Sequence, residues 1–108
     1  MRKTYLGEFE ELILTVVMIL KEEAYGNTIV TTIKELQDRT VNLSAVHVTL
    51  YRLEEKGYLK SFMGGATDKR GGRRKRYFQV TSAGLSVVQE MKTARTKMWD
   101  LIPQLQFS

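Results

Sequence analysis

The 108-residue sequence contains no cysteine and only one histidine. Without cysteine there can be neither a disulfide framework nor a thiolate metal site. A single histidine supplies too few nitrogen ligands for a zinc site. We therefore expect no metal and no cofactor.

Long hydrophobic runs are also missing. The longest apolar run, residues 12–20 with one threonine, has nine residues, and a membrane-spanning helix needs about 20. No basic, apolar and small-residue regions follow one another as in a secretory signal. We expect one modest core in a soluble, cytoplasmic protein that makes no contact with membranes.

Positive charge is concentrated in one segment. Residues 60–76 hold seven basic residues and one acidic residue, whereas all other positions hold ten basic and eleven acidic residues. The entire net charge of +5 therefore originates in this segment. Such a concentration indicates a polyanionic partner, although a solvated charged loop would show the same composition.

The stretch 42–57 predicts a helix with its own start and stop. Asn42 or Ser44 can cap its first turn, and Gly57 suits the left-handed position after a helix end. Val46, Leu50 and Leu53 share one face, which we expect in the core. The remaining surface can meet base edges and phosphates in a DNA major groove, or it is the mixed exposed face of an ordinary amphipathic helix. Its candidate DNA contacts are Ser44, Ala45, His47, Val48, Thr49, Tyr51 and Arg52.

Two helices are predicted before this one. The first runs from Leu6 to about Lys21 and is apolar on nearly all sides, which fits either a buried central helix or one that also contacts a second subunit. The second is capped by Asn27 and extends to about Arg39, with its apolar residues on one face (Ile29, Ile33 and Leu36).

A hairpin is predicted after Gly57. Residues 58–64 and 74–80 alternate in polarity, and the loop of residues 64–73 contains four glycines. Arginines at a narrow tip can enter a minor groove or bind phosphates. The candidate contacts of the hairpin are Lys69, Arg70, Arg73, Arg74 and Arg76.

A final long helix is predicted from Ser82, capped by Thr81, to about Ile102. Its apolar residues recur at heptad spacing, which is typical of helices that pair across a dimer, although a core-facing stripe looks similar. We expect Val87, Met91, Ala94, Met98 and Leu101 at a dimer interface. The fold class is thus mainly α with a small β-hairpin, as a winged helix-turn-helix domain (residues 1–81) and a C-terminal dimerisation helix (residues 82–108).

The chain resembles the PadR family of transcriptional regulators over nearly its full length. The resemblance is carried by five stretches in order: LGEFE (6–10), AYG (24–26), LYRLEEKG (50–57), GGRRKRYF (71–78) and VTSAG (80–84). It implies a homodimeric repressor that binds a double-stranded DNA operator and is released by a small molecule. In one departure, His47 stands where the family usually has a tyrosine that reaches the DNA backbone, and an imidazole can also donate to phosphate.

Two other classes of function are an enzyme and an RNA or non-specific nucleic-acid module. An enzyme is not expected, because the single histidine has no evident partner and phosphate-loop patterns are absent. An RNA or non-specific nucleic-acid module is an alternative, but the hairpin tip lacks the aromatic residues that stack on bases. Trp99 and Arg95 lie beside the heptad stripe, where Trp99 is either an interface anchor or a contact for a small aromatic effector.

Overall fold

A computed structural model describes residues 6–64 and 74–103. Lys69, Arg70 and Arg73 lie outside the described residues. The elements follow the order α1 (Glu8–Leu20), a 3-10 turn (Lys21–Glu23), α2 (Gly26–Gln37), α3 (Leu43–Glu55), β1 (Leu59–Gly64), β2 (Lys75–Val80) and α4 (Ser82–Asp100). The predicted winged helix-turn-helix fold with a long C-terminal helix is confirmed.

Helices α1, α2 and α3 pack around one core. The core face predicted for α3 is confirmed, because Val46, Leu50 and Leu53 have no exposed surface. Removing such a side chain from water stabilises the fold by about 1.5–3 kcal/mol. The core therefore fixes the rotation of α3 about its axis.

The second helix differs from its prediction at both ends. It begins one residue before Asn27, because the Thr28 hydroxyl accepts a hydrogen bond from the backbone N–H of Tyr25 at 3.0 Å and organises the first turn. The helix ends at Gln37, where Asp38 adopts a left-handed conformation (φ 52°). Leu36 lies in this last turn, beyond the reach of the core, and is 62% exposed.

The two strands form an antiparallel hairpin, called the wing below, with Leu59 opposite Val80 and Gly64 opposite Lys75. Phe78 is buried on the inner face of the wing. Its backbone N–H also donates to the carbonyl oxygen of Ala24 at 2.9 Å. One side chain and one backbone bond thus attach the wing to the segment between α1 and α2.

Helix α4 begins at a crowded junction. As predicted, the Thr81 hydroxyl caps it by accepting from the N–H of Gly84 at 3.1 Å, and it also donates to the carbonyl oxygen of Gly57 at 2.7 Å. Gly84 is buried against the backbone carbonyl of Tyr58. The start of α4 is therefore locked to the turn between α3 and β1.

The first two residues of the predicted dimer stripe contact the core of their own domain. Val87 is 6% exposed and belongs to the core, and Met91 is half-buried against the same core. Both residues lie close enough to the junction at Gly84 for their side chains to reach the domain. Little of the surface of Val87 remains to be buried by a second subunit.

Replacing Gly84 by alanine is expected to lower the free energy of unfolding by about 1–3 kcal/mol. The new Cβ would meet the Tyr58 carbonyl and lie 2.7 Å from Cγ2 of Val80. Urea unfolding measures the change. Gly64→Ala is the matched control, because its Cβ would lie at ordinary contact, 3.4 Å from Tyr77 Cδ1, and we expect a change within about 0.5 kcal/mol. Equal losses in both variants would contradict the packing described.

Candidate nucleic-acid interface

Helix α3 presents one side to solvent. The Asn42 side chain caps it by accepting from the N–H of Ala45 at 3.1 Å, as predicted, and Gly57 (φ 85°) follows its end. Because Val46, Leu50 and Leu53 hold the opposite face in the core, the outer face has a fixed direction. Its exposed side chains are Ser44, Ala45, Val48, Tyr51 and Arg52.

Thr49 does not belong to that outer face. It was predicted as a DNA contact, but it is 6% exposed and lies next to Leu50 on the core side of α3. A threonine resembles valine in shape, so its methyl group can pack in the core. The helix rotation set by the core therefore removes Thr49 from the accessible surface.

His47 occupies the boundary between the two faces. Its ring is half-buried and stacks beside Tyr51, with ring centroids 6.1 Å apart. Its Nδ1 atom is buried and has no hydrogen-bond partner among the described residues. The edge of the imidazole formed by Nε2 and Cε1 thus faces Gly26 at the N-terminus of α2.

The two described arginines of the wing have different surroundings. Arg74 is exposed and directly precedes β2. Arg76 donates to the Ser61 hydroxyl at 2.9 Å, and Ser61 in turn donates to the Glu54 carboxylate at 2.8 Å. This chain of hydrogen bonds connects the wing with the last turn of α3, so Arg76 also braces the two elements.

Lys75 was not among the predicted contacts, although it lies on the same surface. Its ammonium group is 4.7 Å from the centre of the Tyr25 ring, and the edge of that ring meets Tyr77 at 5.3 Å. Side chains alternate between the two faces of β2. Lys75 and Tyr77 lie on one face, and Arg76 and Phe78 lie on the other, so the sequence alternation predicts that Lys75 is beside Tyr77. Nothing in the sequence placed Tyr25 beside that face, since the two segments are far apart in the chain.

Ion pairs position the elements that carry this surface. Glu8 pairs with Arg39, Glu10 with Lys56, and Glu11 with Arg95. Burial of the Glu10 carboxyl opposes its ionisation, but hydrogen bonds from the Gly7 N–H and the Lys56 ammonium outweigh this effect and lower its pKa. The charged carboxylate of Glu10 therefore ties the C-terminal end of α3 to α1.

The cations of the outer surface are not paired in this way. Within residues 6–64 and 74–103, Arg52, Arg74 and Lys75 form no ion pair with a carboxylate. All three are exposed. The exposed side of α3 and the wing together form a cationic surface suited to a polyanion.

The far half of α4 leaves the domain. Its apolar side chains are largely exposed, at 64% for Met98, 72% for Trp99 and 78% for Leu101. Ala94 is exposed as well. Arg95, predicted beside Trp99 in an effector pocket, donates from Nη2 to both carboxylate oxygens of Glu11 at 2.8 and 2.9 Å.

Within the described ranges, no helix has the length and apolarity needed to span a membrane.

A comparison with protein families settles the class of the protein. The model of the transcriptional regulator PadR-like family matches residues 13–90, which include α2, α3, the wing and most of α1. The chain belongs to the PadR-like family. It is a DNA-binding transcriptional regulator and not an enzyme. The resemblance seen in the sequence is therefore confirmed.

Solved structures of other PadR-like proteins share the fold. A PadR family transcription regulator from Clostridium difficile is 21% identical, with a TM-score of 0.74 over 88% of this chain and 94% of that chain. A PadR-like transcription factor from Bacteroides fragilis is 22% identical, with a TM-score of 0.71 over 85% and 84%. A PadR-like regulator from Bacillus cereus is 19% identical, with a TM-score of 0.68 over 90% and 93%. No curated protein matches the chain by sequence.

Proposed function

We propose that this PadR-like regulator is a homodimeric repressor that recognises a specific DNA operator. Residues 1–81 form the DNA-binding domain and residues 82–108 the dimerisation segment. The exposed stripe of α3 enters the major groove, while Lys69, Arg70, Arg73 and Arg74 of the wing contact phosphates or a minor groove. The observation that carries the proposal is the fixed outer face of α3, which lies beside the exposed wing cations Arg74 and Lys75, neither of which forms an ion pair within the described ranges.

The outer face of α3 has the chemistry needed for base recognition. Ser44 and Arg52 offer a hydroxyl and a guanidinium, and Ala45 and Val48 can contact thymine methyl groups. A rigid attachment to the core reduces the conformational entropy lost when these side chains meet the bases. We therefore assign sequence discrimination to α3 and most of the phosphate contacts to the wing.

Arg52→Ala is expected to change which sequences bind, because a good base contact is worth about 1–3 kcal/mol of discrimination. Thr49→Val is the matched control on the same helix, since Thr49 is buried and cannot reach a base. Duplexes selected from a random pool are compared for the three proteins, and affinities are then measured with competitor RNA present. A changed preference in Thr49→Val with an unchanged one in Arg52→Ala would contradict the assignment. RNA that competes as well as operator DNA would favour the alternative of a general nucleic-acid module.

The exposed half of α4 supports a dimer. Ala94, Met98 and Leu101 continue the heptad stripe beyond the domain, and their apolar surface has no cover within the described part of the chain. Exposed apolar patches of this kind mark interaction sites. We therefore assign the dimer interface to residues 94–102, which comprise the last turns of α4 and the two residues after it, together with the exposed side of α1. Val87 and Met91 are not included.

Met98→Glu is expected to dissociate the dimer, since an unpaired charge would be buried at the interface. The expected cost is about 3 kcal/mol, or roughly a hundredfold in the dissociation constant. Gln89→Glu is the control, because it adds the same charge at an exposed position of α4 near the domain. Light scattering at micromolar concentration measures the mass. A monomeric unchanged protein would exclude the proposed dimer.

We also assign Trp99 to an effector site between the two subunits. The indole is exposed in a single chain and lies one residue from the heptad stripe, so two copies face a shared cleft in the proposed dimer. Arg95 lies next to this site, but we do not expect it to contact the effector, because its guanidinium donates to the Glu11 carboxylate. A ligand held between the subunits would change the spacing of the two α3 helices, which must match half-sites about one DNA turn apart. Such control requires that the ligand prefers one arrangement of the subunits.

Planar aromatic cations and phenolic acids are expected to bind the dimer, to change the fluorescence of Trp99 and to restore transcription from the operator. Calorimetry should show at least tenfold weaker binding to Trp99→Ala, because the stacking surface is lost. Leu85→Ala is the control, since it removes another exposed apolar side chain from α4. Equal affinities in Trp99→Ala and the unchanged protein would mean that Trp99 only anchors the interface.

A further inference from the structure

An open cavity lies between the end of α1, the 3-10 turn and the wing. Its volume of about 350 Å³ falls in the range of sites that hold small organic molecules. Helix α4 contributes none of its lining residues, so the cavity is separate from the effector site assigned to Trp99. The lining residues are Val17, Met18, Lys21 and Glu22 on one side and Phe62, Phe78, Gln79 and Val80 on the other.

The inner surface of this cavity is apolar. Val17 and Phe78 are buried and form its floor, and Val80 is half-buried next to them. Phe62 forms a wall and is 47% exposed. Its ring stacks on Tyr77, with centroids 6.0 Å apart and planes 16° apart, and this contact limits its movement. The inner part of the cavity therefore suits an apolar group.

The rim of the cavity is polar and carries both signs of charge. Lys21, Glu22 and Gln79 are exposed there. In the part of the chain that the structure describes, neither Lys21 nor Glu22 forms an ion pair. An ammonium donor and a carboxylate acceptor thus lie at the same opening, and their charges cancel. Such a rim is complementary to a ligand with one negative and one positive group.

The backbone of Lys21 is strained. Its φ of 53° and ψ of −118° belong to a region that glycine tolerates and that residues with a side chain rarely adopt. Its N–H donates to the carbonyl oxygen of Val17 and so closes the last turn of α1, which a glycine could do without strain. Strained residues that carry a side chain concentrate at ligand sites. The conformation therefore supports a role of the Lys21 side chain in binding.

We propose that this cavity binds a large apolar α-amino acid as the free zwitterion. The apolar side chain of the ligand lies against Val17 and Phe78, its carboxylate accepts from the Lys21 ammonium, and its own ammonium donates to the Glu22 carboxylate. The two walls are already joined by the hydrogen bond from the Phe78 N–H to the Ala24 carbonyl oxygen at 2.9 Å. A ligand that contacts both walls reinforces this attachment of the wing to the end of α1.

Calorimetry with L-leucine, L-isoleucine, L-methionine and L-phenylalanine tests the site in the full chain. Glu22→Gln should bind them at least about tenfold more weakly, because a hydrogen bond between charged groups is lost. Glu23→Gln is the matched control, since it removes the neighbouring carboxylate of the same turn, which does not line the cavity. Trp99→Ala should bind L-leucine as tightly as the unchanged protein.

Two analogues of leucine test the recognition of a zwitterion. Isocaproate lacks the ammonium group and isoamylamine lacks the carboxylate, and each should bind at least about tenfold more weakly than L-leucine. Amide NMR locates the site. The N–H signals of Val17, Lys21 and Gln79 should move on addition of L-leucine, while that of Trp99 should not.

Lys21→Gly separates binding from stability. Without ligand, this variant should unfold at a higher urea concentration than the unchanged protein, because the relief of backbone strain exceeds the added freedom of glycine in the unfolded chain. It should nevertheless lose at least about tenfold in affinity for L-leucine. A residue with a purely structural role would not show this combination.

Several outcomes would overturn the site. They are no binding of any of the four amino acids at millimolar concentration, equal losses in Glu22→Gln and Glu23→Gln, undiminished binding by Lys21→Gly, and an analogue with one charge that binds as tightly as L-leucine. None of these measurements involves DNA, so a failure of the amino-acid site leaves the proposed function as a regulator untouched.

Discussion

The arrangement of this molecule depends on the burial of one face of α3. Val46, Leu50 and Leu53 are fully enclosed by α1, α2 and the base of the wing. A small rotation of α3 about its axis would expose apolar surface to water. Each Å² exposed would lower the stability of the fold by about 25 cal/mol. The core therefore determines which side chains of α3 meet solvent, and it excludes Thr49 from them. The surface that α3 offers to a partner is therefore a consequence of how the helix is packed.

Polar contacts then attach the other elements to this helix. Glu10 and Lys56 join its C-terminal end to α1, and the series from Glu54 through Ser61 to Arg76 joins it to the wing. Each contact is partly or fully exposed and contributes little stability alone. Their role is to orient the elements, because they limit how far the wing can move relative to α3. The cations of the wing thus remain on the same side of the molecule as the exposed stripe.

Helix α4 divides its apolar residues between two environments. Near the junction at Gly84, Val87 and Met91 complete the core of their own domain. Beyond Arg95, which pairs with Glu11, the described residues leave Met98, Trp99 and Leu101 exposed. A single heptad stripe therefore passes from a buried to an exposed environment along its length. The sequence pattern alone does not mark where one ends and the other begins.

The sequence by itself determined the family, the order of the elements, the caps at Asn42 and Thr81 and the core face of α3. These features depend on local spacing and on side chains that satisfy nearby backbone groups, so short stretches of chain specify them. The tertiary structure alone decided that Thr49 and Val87 are buried, that Arg95 pairs with Glu11, and that Lys75 lies over the Tyr25 ring. These contacts join residues that are distant in sequence, and they depend on the packing angles of whole elements. No periodicity within one segment encodes those angles.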